Sequence, residues 1–249
     1  MIFTKIFLVF CAFISNALAY DSADVRFEIE KGFGKRLTIK VFERSTPLFS
    51  QTVDQTFRSS LIFGRNVLSR HGNGYKITYK GTDKTSLSLE VDEEGNISLA
   101  DAREQTGFER RKSWGFKTPG IIRHTGASLF YQMFTRAQQL HNHGILKSYT
   151  GEFLQDYIFN RGVIHFGDEN AYVSLEAYSE YLAMADSSAQ PSYEKGIIDD
   201  HGVILAEKGL RISGLTHRAR GLVDVGGQGL EVQNAGIDNN GVMNVAGPI

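Results

Sequence analysis

Asp200-His201-Gly202-Val203-Ile204 recurs, with small changes, as Asn142-His143-Gly144-Ile145-Leu146, Asn160-Arg161-Gly162-Val163-Ile164 and Asn239-Asn240-Gly241-Val242-Met243. Each unit is an Asn or Asp, any residue, a glycine and two apolar residues. The glycines lie 18, 40 and 39 residues apart, and Arg220-Gly221-Leu222-Val223 divides the last gap into steps of 19 and 20, giving a period of about 20. In such a unit the Asn or Asp side chain bonds its own backbone, the glycine is expected to take a positive φ, and the alternating residues beyond it point inward. The inward set is therefore Leu146 with Ser148, Ile164 with Phe166, Ile204 with Ala206, Val223 with Val225, and Met243 with Val245. A second short strand follows in three coils, with Val173 and Leu175, Leu210 and Ile212, and Leu230 and Val232 as its inward pairs.

Two or three short strands in a period of about 20 are too few for a propeller blade, and the leucine and asparagine ladder of a leucine-rich repeat is missing. The pattern predicts a right-handed parallel β-helix over 142–249, whose stacked coils bury one apolar column. A sandwich with coincidental Asn-Gly turns is the competing fold. Residues 176–195, with Tyr178, Tyr181, Leu182 and Ala185 at helical spacing, read as an insertion or distorted coil.

Working outward, residues 20–100 alternate apolar and polar side chains, as in Val25-Arg26-Phe27-Glu28-Ile29-Glu30 and Tyr75-Lys76-Ile77-Thr78-Tyr79-Lys80, with turns at Gly32-Phe33-Gly34, His71-Gly72-Asn73-Gly74 and Asp92-Glu93-Glu94-Gly95-Asn96. This predicts an antiparallel β-meander, of a kind that can also edge or cap a larger β body. Residues 101–141 read as a connector. Arg103, Arg110, Arg111 and Lys112 cluster beside Trp114 and Phe116, a solvated loop or a polyanion site, and Leu129, Phe130, Met133, Phe134, Ala137 and Leu140 predict a short amphipathic helix over 127–140. The fold class is thus all-β, with a short helical connector between meander and β-helix.

Residues 1–19 carry Lys5, the apolar run from Ile6 to Ile14, and Ala17-Leu18-Ala19, the pattern of a secretory signal cleaved before Tyr20. The apolar run is too short for a membrane span. An exported protein, secreted, on the cell surface or in the periplasm, is the expectation. The single cysteine, Cys11, falls within that signal, so no disulfide is expected in the mature chain. With 27 basic against 28 acidic residues, the composition argues against a general electrostatic grip on nucleic acid.

Gly202-Val203-Ile204-Leu205-Ala206 with Gly209-Leu210-Arg211-Ile212, then Gly221-Leu222-Val223-Asp224-Val225 with Gly229-Leu230-Glu231-Val232, then Ala235-Gly236-Ile237-Asp238-Asn239-Asn240-Gly241, resemble the repeats of filamentous-haemagglutinin-like bacterial adhesins. The resemblance spans about 142–249. It implies a secreted β-helix that adheres to cells through a lateral face, without enzymatic activity.

The chemical alternatives rest on few residues. Asp199, Asp200, His201 and Arg211 supply carboxylates, an imidazole and a guanidinium of the kind used in β-helical polysaccharide hydrolases, but adjacent residues of a strand face opposite sides, and Asp200 fills a turn slot. A small polyanion-binding secreted protein is the other alternative. His141-Asn142-His143 offers two imidazoles with no third ligand, and the stretch from Gly226 to Val232 partly resembles a calcium-binding nonapeptide with Glu231 where Asp is needed. No cofactor is expected. The repeat turn positions Asn142, Gly144, Asn160, Gly162, Asp200, Gly202, Asn239 and Gly241 are read as structural, with a glycan or cell-surface ligand as partner. Met243 and Val245 on an uncovered last coil imply self-association or continuation through the C-terminal edge.

Overall fold

A computed structural model describes residues 20–83, 85–100, 112–167, 172–176, 196–213, 215–233 and 236–249. Eight antiparallel strands come first: β1 (Val25–Lys31), β2 (Leu37–Glu43), β3 (Thr46–Val53), β4 (Ser60–Phe63), β5 (Asn66–His71), β6 (Gly74–Lys80), β7 (Ser86–Val91) and β8 (Ile97–Ala100). Sixteen parallel strands follow: β9 (Ser113–Lys117), β10 (Ile121–Thr125), β11 (Ala127–Arg136), β12 (Gln139–Asn142), β13 (Ile145–Leu154), β14 (Tyr157–Asn160), β15 (Val163–Phe166), β16 (Tyr172–Glu176), β17 (Gly196–Asp200), β18 (Val203–Ala206), β19 (Gly209–Ser213), β20 (Leu215–Ala219), β21 (Leu222–Val225), β22 (Gly229–Gln233), β23 (Gly236–Asn239) and β24 (Val242–Val245). These form a β-solenoid of about five turns over residues 113–245.

The described strands form two sheets. One runs β24-β21-β18-β15-β13-β11-β9-β1-β2-β3, with β16, β19 and β22 branching from β13, and the other runs β23-β20-β17-β14-β12-β10-β8-β7-β6-β5-β4. The meander is continuous with the solenoid: β1 pairs antiparallel with β2 and parallel with β9, while β8 pairs antiparallel with β7 and parallel with β10. One apolar core accordingly extends from Val25 to Leu230. The antiparallel hairpins close the N-terminal end of the stack, the position at which a solenoid needs a cover.

In the solenoid the inward column Leu146, Ile164, Ile204, Val223, Met243 is in register strand by strand, as is Ser148, Phe166, Ala206, Val225, Val245. All are buried except Met243 and Val245, which pack partly buried against the core. The second-strand pairs are also in register, Val173 with Leu210 and Leu230, and Leu175 with Ile212 and Val232.

Two sequence expectations are corrected. The solenoid begins at β9, well before residue 142, and residues 127–140 form β11 and the start of β12 in place of a helix. The helical spacing has a geometric cause. β11 and β13 are ten residues long and bend at the corner of the coil, so the inward parity changes from Ser128 and Phe130 to Met133 and Thr135, and from Leu146 and Ser148 to Phe153. That change inserts a step of three into a period of two, which imitates an amphipathic helix. Before the bend β13 pairs with β15, and beyond it, through its last residues, with β16. In the connector, Trp114 and Phe116 are core residues stacked on or near Phe27, so they belong to no polyanion surface. Arg103, Arg110 and Arg111 lie outside the described residues, as do residues 1–19 and most of 176–195.

Lys112 is a buried clamp between the sheets. Its Nζ lies 3.0 Å from Asp83 Oδ2, 3.3 Å from Glu43 Oε1 and 3.1 Å from the Tyr79 hydroxyl, which donates to Glu43 at 2.8 Å. Burial alone would raise the Asp83 carboxyl, but hydrogen bonds from Thr85 and Lys112, with the Lys112 charge, bring it down to about 2 from 3.8. A depressed carboxyl contributes stability above its unfolded value, and the contribution is lost as pH falls through the folded value. Wild-type protein is therefore expected to lose stability between pH 3.8 and about 2. Lys112→Met should flatten that part of the profile in urea unfolding followed against pH.

Candidate functional site on the outer face of the second sheet

Positions that alternate with the core on the second sheet form an outward column across the solenoid. Arg123 pairs with His141, His141 with Phe159, Phe159 with Asp199, Asp199 with Arg218, and Arg218 with Asp238. Beside it Tyr157 follows Gln139. The rings form one patch: Phe159 lies 6.5 Å from Tyr157 in a stacked arrangement, and 5.7 Å from His141, 5.7 Å from His143 and 6.2 Å from His201 edge-on. The Arg161 guanidinium sits 4.9 Å from the Phe159 ring centre.

Polar groups rim the rings. The Tyr157 hydroxyl donates to Asp199 Oδ2 at 3.3 Å, and His201 Nε2 lies 3.3 Å from the other carboxylate oxygen. Burial, reinforced by the Asp199 charge, raises the Tyr157 hydroxyl pKa, so it remains a donor at neutral pH. Burial also lowers His141, with help from the nearby Arg123 and His143 charges, so this ring is neutral at pH 7 beside Gln139 Oε1, 2.9 Å away. At the turn that ends each strand of this sheet, the residue before the glycine is exposed and cationic or imidazole in four successive coils: His143, Arg161, His201 and Arg220. Backbone bonds such as Arg161 N–H to the Asn142 carbonyl (2.8 Å) hold these turns in register.

The residues singled out as hydrolase candidates divide between environments. Asp199 faces outward in the patch, whereas Asp200 is fully buried. His201 stands at the turn beside Asp199. Arg211 is on β19 of the first sheet, where its Nε meets Glu231 at 3.1 Å. Asp199 and Asp200 thus cannot act on one substrate from one face. Among the described residues no three His, Cys, Asp or Glu side chains are grouped to hold a metal ion.

The turn positions carry a structure that turn chemistry alone did not predict. Gly144, Gly162, Gly202 and Gly241 each donate a backbone N–H to the Oδ1 of the Asx residue two before, at 3.3, 3.2, 3.1 and 3.1 Å. Three of those side chains also bond each other through the interior. Asn142 Nδ2 donates to Asn160 Oδ1 and Asn160 Nδ2 to Asp200 Oδ1, each at 2.8 Å, and His124 Nδ1 closes the near end on Asn142 Oδ1 at 2.6 Å. The expected positive φ is corrected too: of the stacked turn glycines only Gly126 has it, at 73°. The others are glycine for lack of room, since a Cβ on Gly162 would sit 2.0 Å from the Gly144 carbonyl oxygen.

Sequence reasoning missed His124-Thr125-Gly126, a further unit with His in the Asx slot. Gly126 precedes Gly144 by the same 18 residues that separate Gly144 from Gly162. The aromatic patch was also missed, although Tyr157-Ile158-Phe159 places two outward rings either side of a core isoleucine. Set against known families, curated proteins and solved structures, the chain finds no match.

Proposed function

We propose that this protein is an exported, non-enzymatic surface module of adhesin type that holds a glycan against the outer face of the second sheet. The observation that carries the reading is the Tyr157–Phe159 platform, rimmed by Asp199, His141, His143, His201 and Arg161. A pyranose ring presents C–H groups on its faces and hydroxyls at its edge. Aromatic faces take up the first, and carboxylate, imidazole and guanidinium groups bond the second. The strands beneath are locked by parallel pairing and by the Asn ladder, so the platform is preorganised and little ordering entropy opposes binding. Export is supported by the signal-like pattern of residues 1–19, and among the described residues no helix is long and apolar enough to cross a membrane.

The test is retention on a glycan array. Tyr157→Ala with Phe159→Ala should weaken retention roughly thirtyfold, the equivalent of about 2 kcal/mol for truncating aromatic anchors. Undiminished retention by the double variant would remove this face as the binding site. Release of reducing ends by wild type, abolished in Asp199→Asn, would replace the binding reading with an enzymatic one.

A further inference from the structure

Phe33 stands at the tip of the β1–β2 hairpin with 99% of its surface exposed, more than any other large apolar side chain among the described residues. Gly32 and Gly34 flank it, and Lys31, Lys35 and Arg36 stand on either side, all of them exposed. The loop is closed at its base, where the Gly32 N–H donates to the Arg36 carbonyl at 2.8 Å. Above that bond Gly34 and Lys35 both lie in the left-handed region, at φ 70° and 62°. Glycine takes that conformation freely, whereas a lysine does so against the clash of its Cβ with the backbone. A Cβ on Gly34 would meet nothing within 4 Å, so the tip stands clear of the body.

The three cations are poorly compensated. The β7–β8 turn lies beside the hairpin, since a Cβ on Gly95 would sit 3.3 Å from Ile29 Cγ2 and 3.9 Å from Lys31 Cε. Two of its carboxylates are already engaged: Asp92 Oδ2 meets Arg123 at 3.2 Å and Glu93 Oε1 meets Arg70 at 2.9 Å. Asp54 accepts from the Thr56 N–H and hydroxyl at 2.8 and 2.6 Å and feels Arg36 only as a more distant charge. Lys31, Lys35 and Arg36 thus stand against the exposed Glu94 and, at longer range, Asp54, and the tip keeps a positive balance.

A single exposed ring is ordinary on a protein surface. Its place among uncompensated cations on one hairpin selects the partner. An apolar pocket would take the ring without needing the charges, and a polyanion would take the charges without needing the ring. A bilayer with anionic headgroups takes both: an aromatic ring settles at the boundary of headgroups and acyl chains, while Lys and Arg side chains extend to the phosphates. We propose that the β1–β2 hairpin tip is a membrane-docking finger for bilayers rich in anionic phospholipid, with Phe33 entering the interface and Lys31, Lys35 and Arg36 meeting phosphate groups. The attachment is peripheral and reversible, since one ring is far from the roughly 20 apolar residues of a spanning helix. It depends on neither the glycan reading nor the export reading.

The experiment sediments the full-length chain with vesicles of phosphatidylglycerol and phosphatidylethanolamine, and separately with vesicles of phosphatidylcholine. Wild type should bind the anionic vesicles roughly tenfold more tightly than the neutral ones, and high salt should remove most of the difference. Phe33→Ser should weaken binding to the anionic vesicles roughly tenfold through lost insertion. The triple variant Lys31→Gln, Lys35→Asn, Arg36→Gln should bind them no better than neutral vesicles; asparagine is chosen at 35 because it accepts a left-handed backbone. Ile145→Ser removes a half-exposed apolar side chain from the solenoid and should change nothing. Retention through the apolar residues 1–19 would be indifferent to all these substitutions. Phe33→Trp reports insertion directly, because Trp114 is fully buried and a blue shift of emission on adding anionic vesicles comes from the new indole. Absence of binding to anionic vesicles, loss in neither or only one of the two tip variants, or an unshifted emission from Phe33→Trp would each overturn the proposal, which needs both ring and charge.

Discussion

Gly202→Ala is expected to destabilise the protein by about 3 kcal/mol, the scale of an overpacked interior site. The added Cβ would lie 2.1 Å from the Gly162 carbonyl oxygen and 2.9 Å from both the Arg161 carbonyl carbon and the Gly162 nitrogen. All three are backbone atoms, which cannot turn aside as a side chain can. The Gly162 carbonyl is also in use, accepting from Val203 N–H at 2.8 Å, and the Gly202 carbonyl accepts from Leu222 N–H at 2.9 Å. Relief therefore requires the coils to separate at the turn, breaking bonds on both sides of the substitution. Gly227→Ala provides the comparison, since nothing lies within 4 Å of its built Cβ. That change should stay within about 0.5 kcal/mol, as for surface substitutions away from special features. Urea midpoints of the two variants and wild type, taken together with unchanged m-values, decide the matter.

The same turn shows how far local sequence chemistry reaches. Asx-x-Gly followed by alternating apolar residues specifies a turn and a strand, and the period then places Ile164, Ile204, Val223 and Met243 in one column, because all the information lies within one coil. The bend in β11 was not legible: the parity change between Phe130 and Met133 depends on the cross-section of the coil and looks like a helix in one dimension. The continuity of β1 with β9 and of β8 with β10 was equally hidden, since pairing between residues 89 apart in the first case and 25 apart in the second leaves no local mark. For the candidate site, Asp199 and His201 stood out by residue type. Tyr157 and Phe159 did not, because an outward aromatic on a strand has the same local pattern as an inward one until the neighbouring Ile158 is known to be core.

The interior ladder carries the other large effect. Asn160→Leu is expected to cost about 4 kcal/mol, because it leaves several buried polar groups unpaired at 1–3 kcal/mol each. Asn160 Oδ1 accepts from Asn142 Nδ2 and from Gly162 N–H, and its Nδ2 donates to Asp200 Oδ1 and, at 3.2 Å, to the Val203 carbonyl. The ladder has a direction, each amide donating toward the C-terminal end, and Asp200 terminates it because a carboxylate accepts but cannot donate. The next coil is consistent with that ending: the slot holds Ala219, which asks for no bond, and the second Asp200 oxygen faces the buried His217, whose Nε2 is 3.9 Å away. Asn239 occupies the same slot one coil further on, but it is exposed, and its Oδ1 accepts the Gly241 turn N–H. Asn239→Leu should therefore cost no more than about 1 kcal/mol, the net worth of an ordinary hydrogen bond. Similar losses in the two variants, measured by urea unfolding, would show that turn chemistry dominates and that the buried amide chain contributes little. A loss confined largely to Asn160→Leu would locate the stabilisation in the chain of amides running through the core beneath the Tyr157–Phe159 patch.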